Sequence, residues 1–264
     1  MKLVYNNPFK LFFILFLCII DNAYPQSNLL INESLNGSFS QGKMEGSVNK
    51  FFTQDTYYLR SNFNVKILRL FNIKRDEGYI ISFSDSTVTK INHKKKRFAI
   101  YTFNEFLEES KNNPQGGPPQ EDKEEDDESN SDEEDVTINI SKEIEILNDF
   151  KTRKAEIIMN DEEESGLFIW FSETTLKSQT ELIINKKLKE MFNGSIPPNL
   201  GMNAMNIPYD EYDINTNALT IKFEAVSENG TFTYNLLGYL DQNLLPEIFK
   251  ISEKYKKVKK LYLI

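Results

Sequence analysis

The sequence predicts an α+β protein, predominantly antiparallel β, with one or two packed helices and a disordered acidic insertion. Three observations predict it. From Gly37 onward, short β-branched and aromatic runs alternate with turn residues about every ten positions, the rhythm of meanders, sandwiches and barrels. One late segment, Ser178–Phe192, carries helical periodicity with its own start and stop signals. Finally, Glu121–Asp135 holds eleven carboxylates and one lysine, with no aliphatic or aromatic residue.

Charge and residue usage exclude several classes. The 264-residue chain has 31 Lys and Arg against 40 Asp and Glu, a net −9. The acidic run alone supplies −10, leaving about +1 elsewhere, so no cationic excess exists to neutralise phosphates and no nucleic-acid partner is expected. The single Cys, Cys18, lies in an apolar N-terminal run, which removes disulfides, cysteine zinc sites and a thiol nucleophile from a mature chain lacking it. The single His, His93, sits in Asn92-His93-Lys94-Lys95-Lys96-Arg97 and reads as a solvated turn residue, its neighbouring cations disfavouring protonation. No Gly-x-Ser-x-Gly elbow, His-Glu-x-x-His helix or Gly-rich phosphate loop occurs. The expectation is a non-enzyme without cofactor or metal.

Lys2 and Lys10 precede the ten apolar residues Leu11–Ile20, which end at Asp21. This is the n-region and h-region of a signal peptide, residues 1–23, too short for a stable membrane-spanning helix. Leu17 stands where a lipobox needs a small residue, which argues against lipid anchoring at Cys18. The mature chain is expected in the periplasm or outside the cell. A secreted chain of this size without disulfides fits a bacterial envelope protein with a large core.

The body reads as one domain over 37–255, interrupted by the loop 112–135. Strands are expected at Gly37–Met44, Gln54–Ser61, Asn64–Asn72, Tyr79–Phe83, Ser86–Ile91 and Lys96–Thr102. In Phe63-Asn64-Val65-Lys66-Ile67 the period of two marks one wet face. Phe103, Phe106 and Leu107 give a short helix over Phe103–Lys111. Residues 112–135 cannot bury enough apolar surface to offset their conformational entropy, so they are expected to be disordered.

Strand character returns in Val136–Ile146, then Arg153–Met159 and Leu167–Glu173 flank a polar hairpin loop. Leu167-Phe168-Ile169-Trp170-Phe171 is apolar on both faces, the mark of a central strand. Trp170 reads either as core packing or as a ligand-stacking ring. Ser178-x-x-Glu181 is a capping box, followed by the stripe Ile184, Leu188, Met191 and Phe192, with Lys186, Lys187 and Lys189 facing water. Gly194 and Pro197-Pro198 stop the helix. Asn199–Asp213 is rich in Met, including Met202 and Met205, which suit irregular apolar surfaces. Strands Ala218–Val226 and Thr231–Leu240 are joined through Asn229-Gly230, a hairpin signal. The segment 244–258 fits a helix or a final strand equally.

A signal peptide, a many-stranded meander and a late helix are joined by Tyr57-Tyr58-Leu59-Arg60, the strand Ser86–Ile91 and Lys95-Lys96-Arg97-Phe98-Ala99-Ile100-Tyr101. With the hairpin Lys154–Ile158 to Phe168–Glu173, this pattern resembles the LolA-type half-barrel proteins of bacterial envelopes, and more closely an uncharacterised secreted family of that superfamily. The resemblance spans most of residues 37–255. It implies an incomplete antiparallel barrel around an apolar cavity, lidded by helices, that holds acyl chains. Cavity or lid lining would then fall to Ile184, Leu188, Met191, Phe192, Met202, Met205 and Trp170. The implied partner is a lipid or a lipoprotein acyl chain. The alternative is a structural or protein-interaction domain of the envelope with no cavity ligand, and cavity volume separates the two readings.

Overall fold

Alternating wet and dry positions dominate the chain as a computed structural model describes it, over residues 28–68, 71–112, 136–159, 166–192, 215, 217–242 and 244–263. The alternation builds an N-terminal meander of six strands: β1 (Leu29–Phe39), β2 (Gly42–Phe52), β3 (Thr56–Ile67), β4 (Phe71–Ser82), β5 (Thr87–Asn92) and β6 (Arg97–Thr102). Helix α1 (Phe103–Asn112) follows directly. Beyond it come β7 (Val136–Ile140), β8 (Glu145–Leu147), β9 (Phe150–Met159), β10 (Gly166–Leu176), helix α2 (Gln179–Met191), β11 (Ala218–Ser227), β12 (Gly230–Asp241) and the two-residue β13 (Lys256–Lys257). The signal segment 1–23, the acidic stretch 113–135, and Met202 and Met205 lie outside the described residues.

The strands join in one sheet in the order β13-β6-β5-β4-β3-β2-β1-β12-β11-β10-β9-β7, with β8 on β9 off this path. Neighbours are antiparallel except β13, which runs parallel to β6. The two ends of this order do not pair among the described residues, so the sheet is open. Its seam is β1, which pairs along its whole length with β2 on one side and β12 on the other.

Several expected boundaries move. The strand expected at Gly37–Met44 is the end of a hairpin: β1 runs from Leu29 to Phe39 and β2 starts at Gly42. Leu29, Ile31 and Leu35 point to the core with the charged Glu33 between them, which breaks the apolar alternation that would have announced the strand. The segments expected as Gln54–Ser61 and Asn64–Asn72 resolve into one twelve-residue strand, β3, and the start of β4. The segment 244–258 is neither helix nor long strand: a 3-10 turn at Pro246–Phe249 leads to irregular chain and β13. The Asn229-Gly230 hairpin forms as read. Gly230 holds a φ of 145°, and a Cβ there would strike the Ser38 carbonyl of β1.

The core lies on the inner face of the sheet, under both helices. Leu35, Val48, Leu59, Ile81, Ile169 and Ile221 pack there with Phe106 of α1 and Ile184, Leu188 and Phe192 of α2. Phe106 meets Tyr79 and Phe192 edge-on, at 6.3 and 5.9 Å between centroids. Full burial of each such side chain contributes about 1.5–3 kcal/mol. The outer face carries a second cluster, Tyr58, Ile80 and Ile91, covered by Ile248, Phe249, Ile251 and Tyr255. The chain then crosses the β6 edge through Lys256 N–H to the Lys96 carbonyl and Val258 N–H to the Phe98 carbonyl. Leu261 and Leu263 end in the inner core, with Leu261 N–H donating to the Tyr101 hydroxyl at 2.8 Å.

Candidate functional site, an interhelical cleft and a buried polar cluster

The hairpin turns at 53–56 and 83–86 lie at the helix-bearing end of the sheet. There α1 and α2 leave between them a cleft of about 490 Å³. Phe83 and Phe103, edge-on at 6.2 Å, form its floor with Leu107 and Met191, all of them half-buried against the core. Asp55, Asn104, Lys187 and Glu190 form the rim. Lys187, read from sequence as facing water, instead donates to the Gln54 carbonyl at 2.8 Å and to Asp55 Oδ1 at 3.2 Å, with its ammonium 5.1 Å from the Phe83 ring centre. A hydrogen bond from the Ser84 side chain, against partial desolvation and with help from Lys187, holds the Asp55 carboxyl below its ordinary range. The cleft is an open groove with an apolar floor, and its rim carries two carboxylates, Asp55 and Glu190, against one ammonium that is already paired with Asp55.

Beside the cleft, the first turn of α2 is fixed to the sheet by polar groups. Ser178 caps the helix, its Oγ accepting from Glu181 N–H at 3.2 Å. The reciprocal half of the capping box is rerouted. Tyr239 of β12 accepts from Ser178 N–H and donates to Glu181 Oε2 at 2.8 Å. Burial pushes the Glu181 carboxyl up, against the Tyr239 hydrogen bond and the charges of Lys50 and Lys177. Within the sheet, Glu33 is 4% exposed and takes Lys50 at 2.7 Å and the Tyr234 hydroxyl at 3.1 Å on the same oxygen. Its Oε2 is buried with no hydrogen-bond partner. Burial, then the charges of Glu33 and Glu181, raise the Tyr57 phenol well above its ordinary value.

The seven residues expected to line a cavity are distributed among different places. Met191 lines the cleft. Ile184, Leu188 and Phe192 are buried in the inner core, packed against the sheet. Trp170 alternates with Leu167 and Ile169 and so faces the other side, where Lys154 and Lys222 stack on it at 5.4 and 4.2 Å and its Nε1–H donates to Glu145 at 3.3 Å. Met202 and Met205 lie outside the described residues. Phe103 and Leu107 were read from sequence only as a helix stripe and Lys187 only as water-facing, and Phe83 only as the end of a strand, since the closure of α1 against α2 has no local signal.

His93 is not a solvated turn residue. Its ring lies between two phenols, Nε2 at 3.2 Å from the Tyr58 hydroxyl and Nδ1 at 3.0 Å from that of Tyr255. Burial first, then the charge of Arg60, hold its pKa below the ordinary value, so the expected direction stands while its cause is not the adjacent lysines. Burial also lifts Tyr58 to about 12. Gly78 leaves the space: a Cβ there would press on His93 and Tyr58.

Comparison with known proteins places the chain beside a few solved structures. No protein-family model matches it, and no curated protein matches it. It is similar to a structure of PNGF-II, at 10% identity and a TM-score of 0.31, covering 88% of this chain and 31% of that one. It thus spans under a third of PNGF-II. It is also similar to a domain from Vibrio parahaemolyticus described as an outer membrane lipoprotein-sorting protein domain, at 10% identity and a TM-score of 0.19, covering 89% and 95%. A third neighbour is a DUF1329 family protein from Desulfovibrio piger, at 9% identity and a TM-score of 0.20, covering 88% and 93%. At these scores the likenesses carry no weight for function, and the site has to speak for itself.

Proposed function

We propose that this is a non-enzymatic exported envelope protein, built as a LolA-like half-barrel, that holds a lipid or acyl chain at the cleft between its two helices. The observation that carries the reading is the cleft itself: an aromatic and aliphatic floor of Phe83, Phe103, Leu107 and Met191 beneath a polar rim of Asp55, Asn104, Lys187 and Glu190. The apolar run Leu11–Ile20 behind two lysines supports export. Among the described residues no helix is long and apolar enough to cross a membrane.

A fluorescent fatty-acyl probe tests it. Saturable binding is expected, reduced by Leu107→Trp and Met191→Trp, which fill the floor. Absence of saturable binding in a folded protein would sink the reading. One observation favours a second reading, an envelope scaffold without ligand: Ile184, Leu188 and Phe192 fill the inner face instead of lining open space. Absence of probe binding with an intact fold moves the weight there, whereas wild-type-like binding in both Trp variants would place the probe outside the cleft.

A further inference from the structure

The opposite end of the sheet, at the turn 39–42 and the strand ends 65–68 and 71–75, has a different chemistry. Phe39, Met44, Val65, Ile67, Phe71 and Ile73 share the inner face by register: Met44 opposes Val65, Val65 opposes Ile73, and Ile67 opposes Phe71. This is the face that is buried further along the same strands, yet here Phe71 is 61% exposed, Phe39 46% and Ile73 42%. The β3–β4 turn adds Leu68, 58% exposed and held at a φ of 50°, a conformation Asn or Gly adopts at lower cost. Monomeric soluble proteins rarely leave such a cluster bare without a use for it.

The charges around it have one dominant sign. Lys43, Lys66 and Lys74 stand on the outer face of the same strand ends and Arg75 on the inner face, against Glu45 and, on the next hairpin, Glu228. Lys43 and Lys66 are direct cross-strand partners, a like-charge placement that costs stability in water. None of the four cations has an ion pair among the described residues. In a chain of net −9 this end is locally cationic.

We infer that the end formed by the turn 39–42 and the strand ends 65–68 and 71–75 docks on an anionic lipid surface, with Phe39, Phe71 and Ile73 entering the headgroup layer and the four cations meeting lipid phosphates. Shallow apolar insertion with flanking cations is the physics of peripheral membrane attachment. The two lysines opposed across β2 and β3 then gain the counter-charge they lack. The inference stands independently of the cleft, which lies at the other end of the strands.

The test is co-sedimentation of the mature protein with vesicles of phosphatidylcholine alone and of phosphatidylcholine mixed with phosphatidylglycerol. Binding to the anionic vesicles only is expected, falling with added salt. Phe71→Asp should abolish it, and Lys43→Ala and Lys66→Ala should each weaken it about fivefold. All three variants should keep wild-type acyl-probe binding, with melting unchanged in Phe71→Asp and slightly raised in the two lysine variants, which separates a failure here from a failure of the cleft. Equal binding to both vesicle types, or binding untouched by Phe71→Asp, would overturn the inference. So would a Phe71-dependent dimer without vesicle binding, which would assign the patch to a second copy of the chain.

Discussion

β3 and β4 each pass through two environments. On one face of β4, Tyr79 and Ile81 are buried while Phe71 and Ile73, on that same face, are open to water. On β3, Tyr57 and Leu59 are buried, whereas Val65 and Ile67 are only half-covered. Residue type does not distinguish the ends. What differs is the cover: α1, α2 and the segment 261–263 sit over one end, and no described element sits over the other. Burial here is decided by what lies above the sheet, so stability concentrates at the helical end while the hairpin end is left free for recognition.

The largest effect that would sharpen this contrast belongs to the buried pair. Lys50→Ala strands the Glu33 carboxylate and should cost about 3–5 kcal/mol in urea unfolding. A loss below about 1 kcal/mol, the level of an exposed pair, would break the claim that the helical end is sealed. Leu188→Ala, beneath α2, should cost about 2–5 kcal/mol by the same measurement. Ser178→Ala removes one N-cap bond and should cost about 1 kcal/mol.

Glu181 gives a pH signature in place of a single magnitude. Its folded pKa is raised above 4.5, so its stabilising contribution is complete below that value and is lost as pH rises through the folded pKa. Glu181→Gln mimics the protonated form. Its melting temperature relative to wild type should therefore be higher at neutral pH than in acid, the difference shrinking as pH falls toward 4.5; a constant difference would show the carboxyl to be solvated. The smallest effect belongs to the bare end. Phe71→Ser should change stability by no more than about 0.5 kcal/mol, and a larger loss would mean the hairpin end is covered after all.

Legibility in the sequence follows the same division. Phe63-Val65-Ile67 announced β3, Phe103 and Phe106 announced α1, and the stripe Ile184, Leu188 and Phe192 announced the buried face of α2, because each is a local period of two or 3.6. β1 escaped because its alternation passes through Glu33, whose partner Lys50 lies on β2. His93 was misread because Tyr255 stands 162 positions away, at the far end of the chain. Half of the capping box was rerouted for a similar reason, since Tyr239 comes from β12. Local periodicity fixes elements; the pairing of distant polar groups that completes the interior leaves no local trace.

The pairing of β1 with β12 also bears on how the chain reaches its fold. Glu33 and Tyr234 touch across 201 positions, so β1 acquires its second neighbour only after β2 to β11 have emerged. Until then the meander β1–β6 offers a long open row of amides and carbonyls, the form in which strands recruit wrong partners. Closing a loop of that span is slow, which puts folding among the millisecond-to-second β topologies. During synthesis, the edge of β1 is therefore where a holding chaperone would have most to protect.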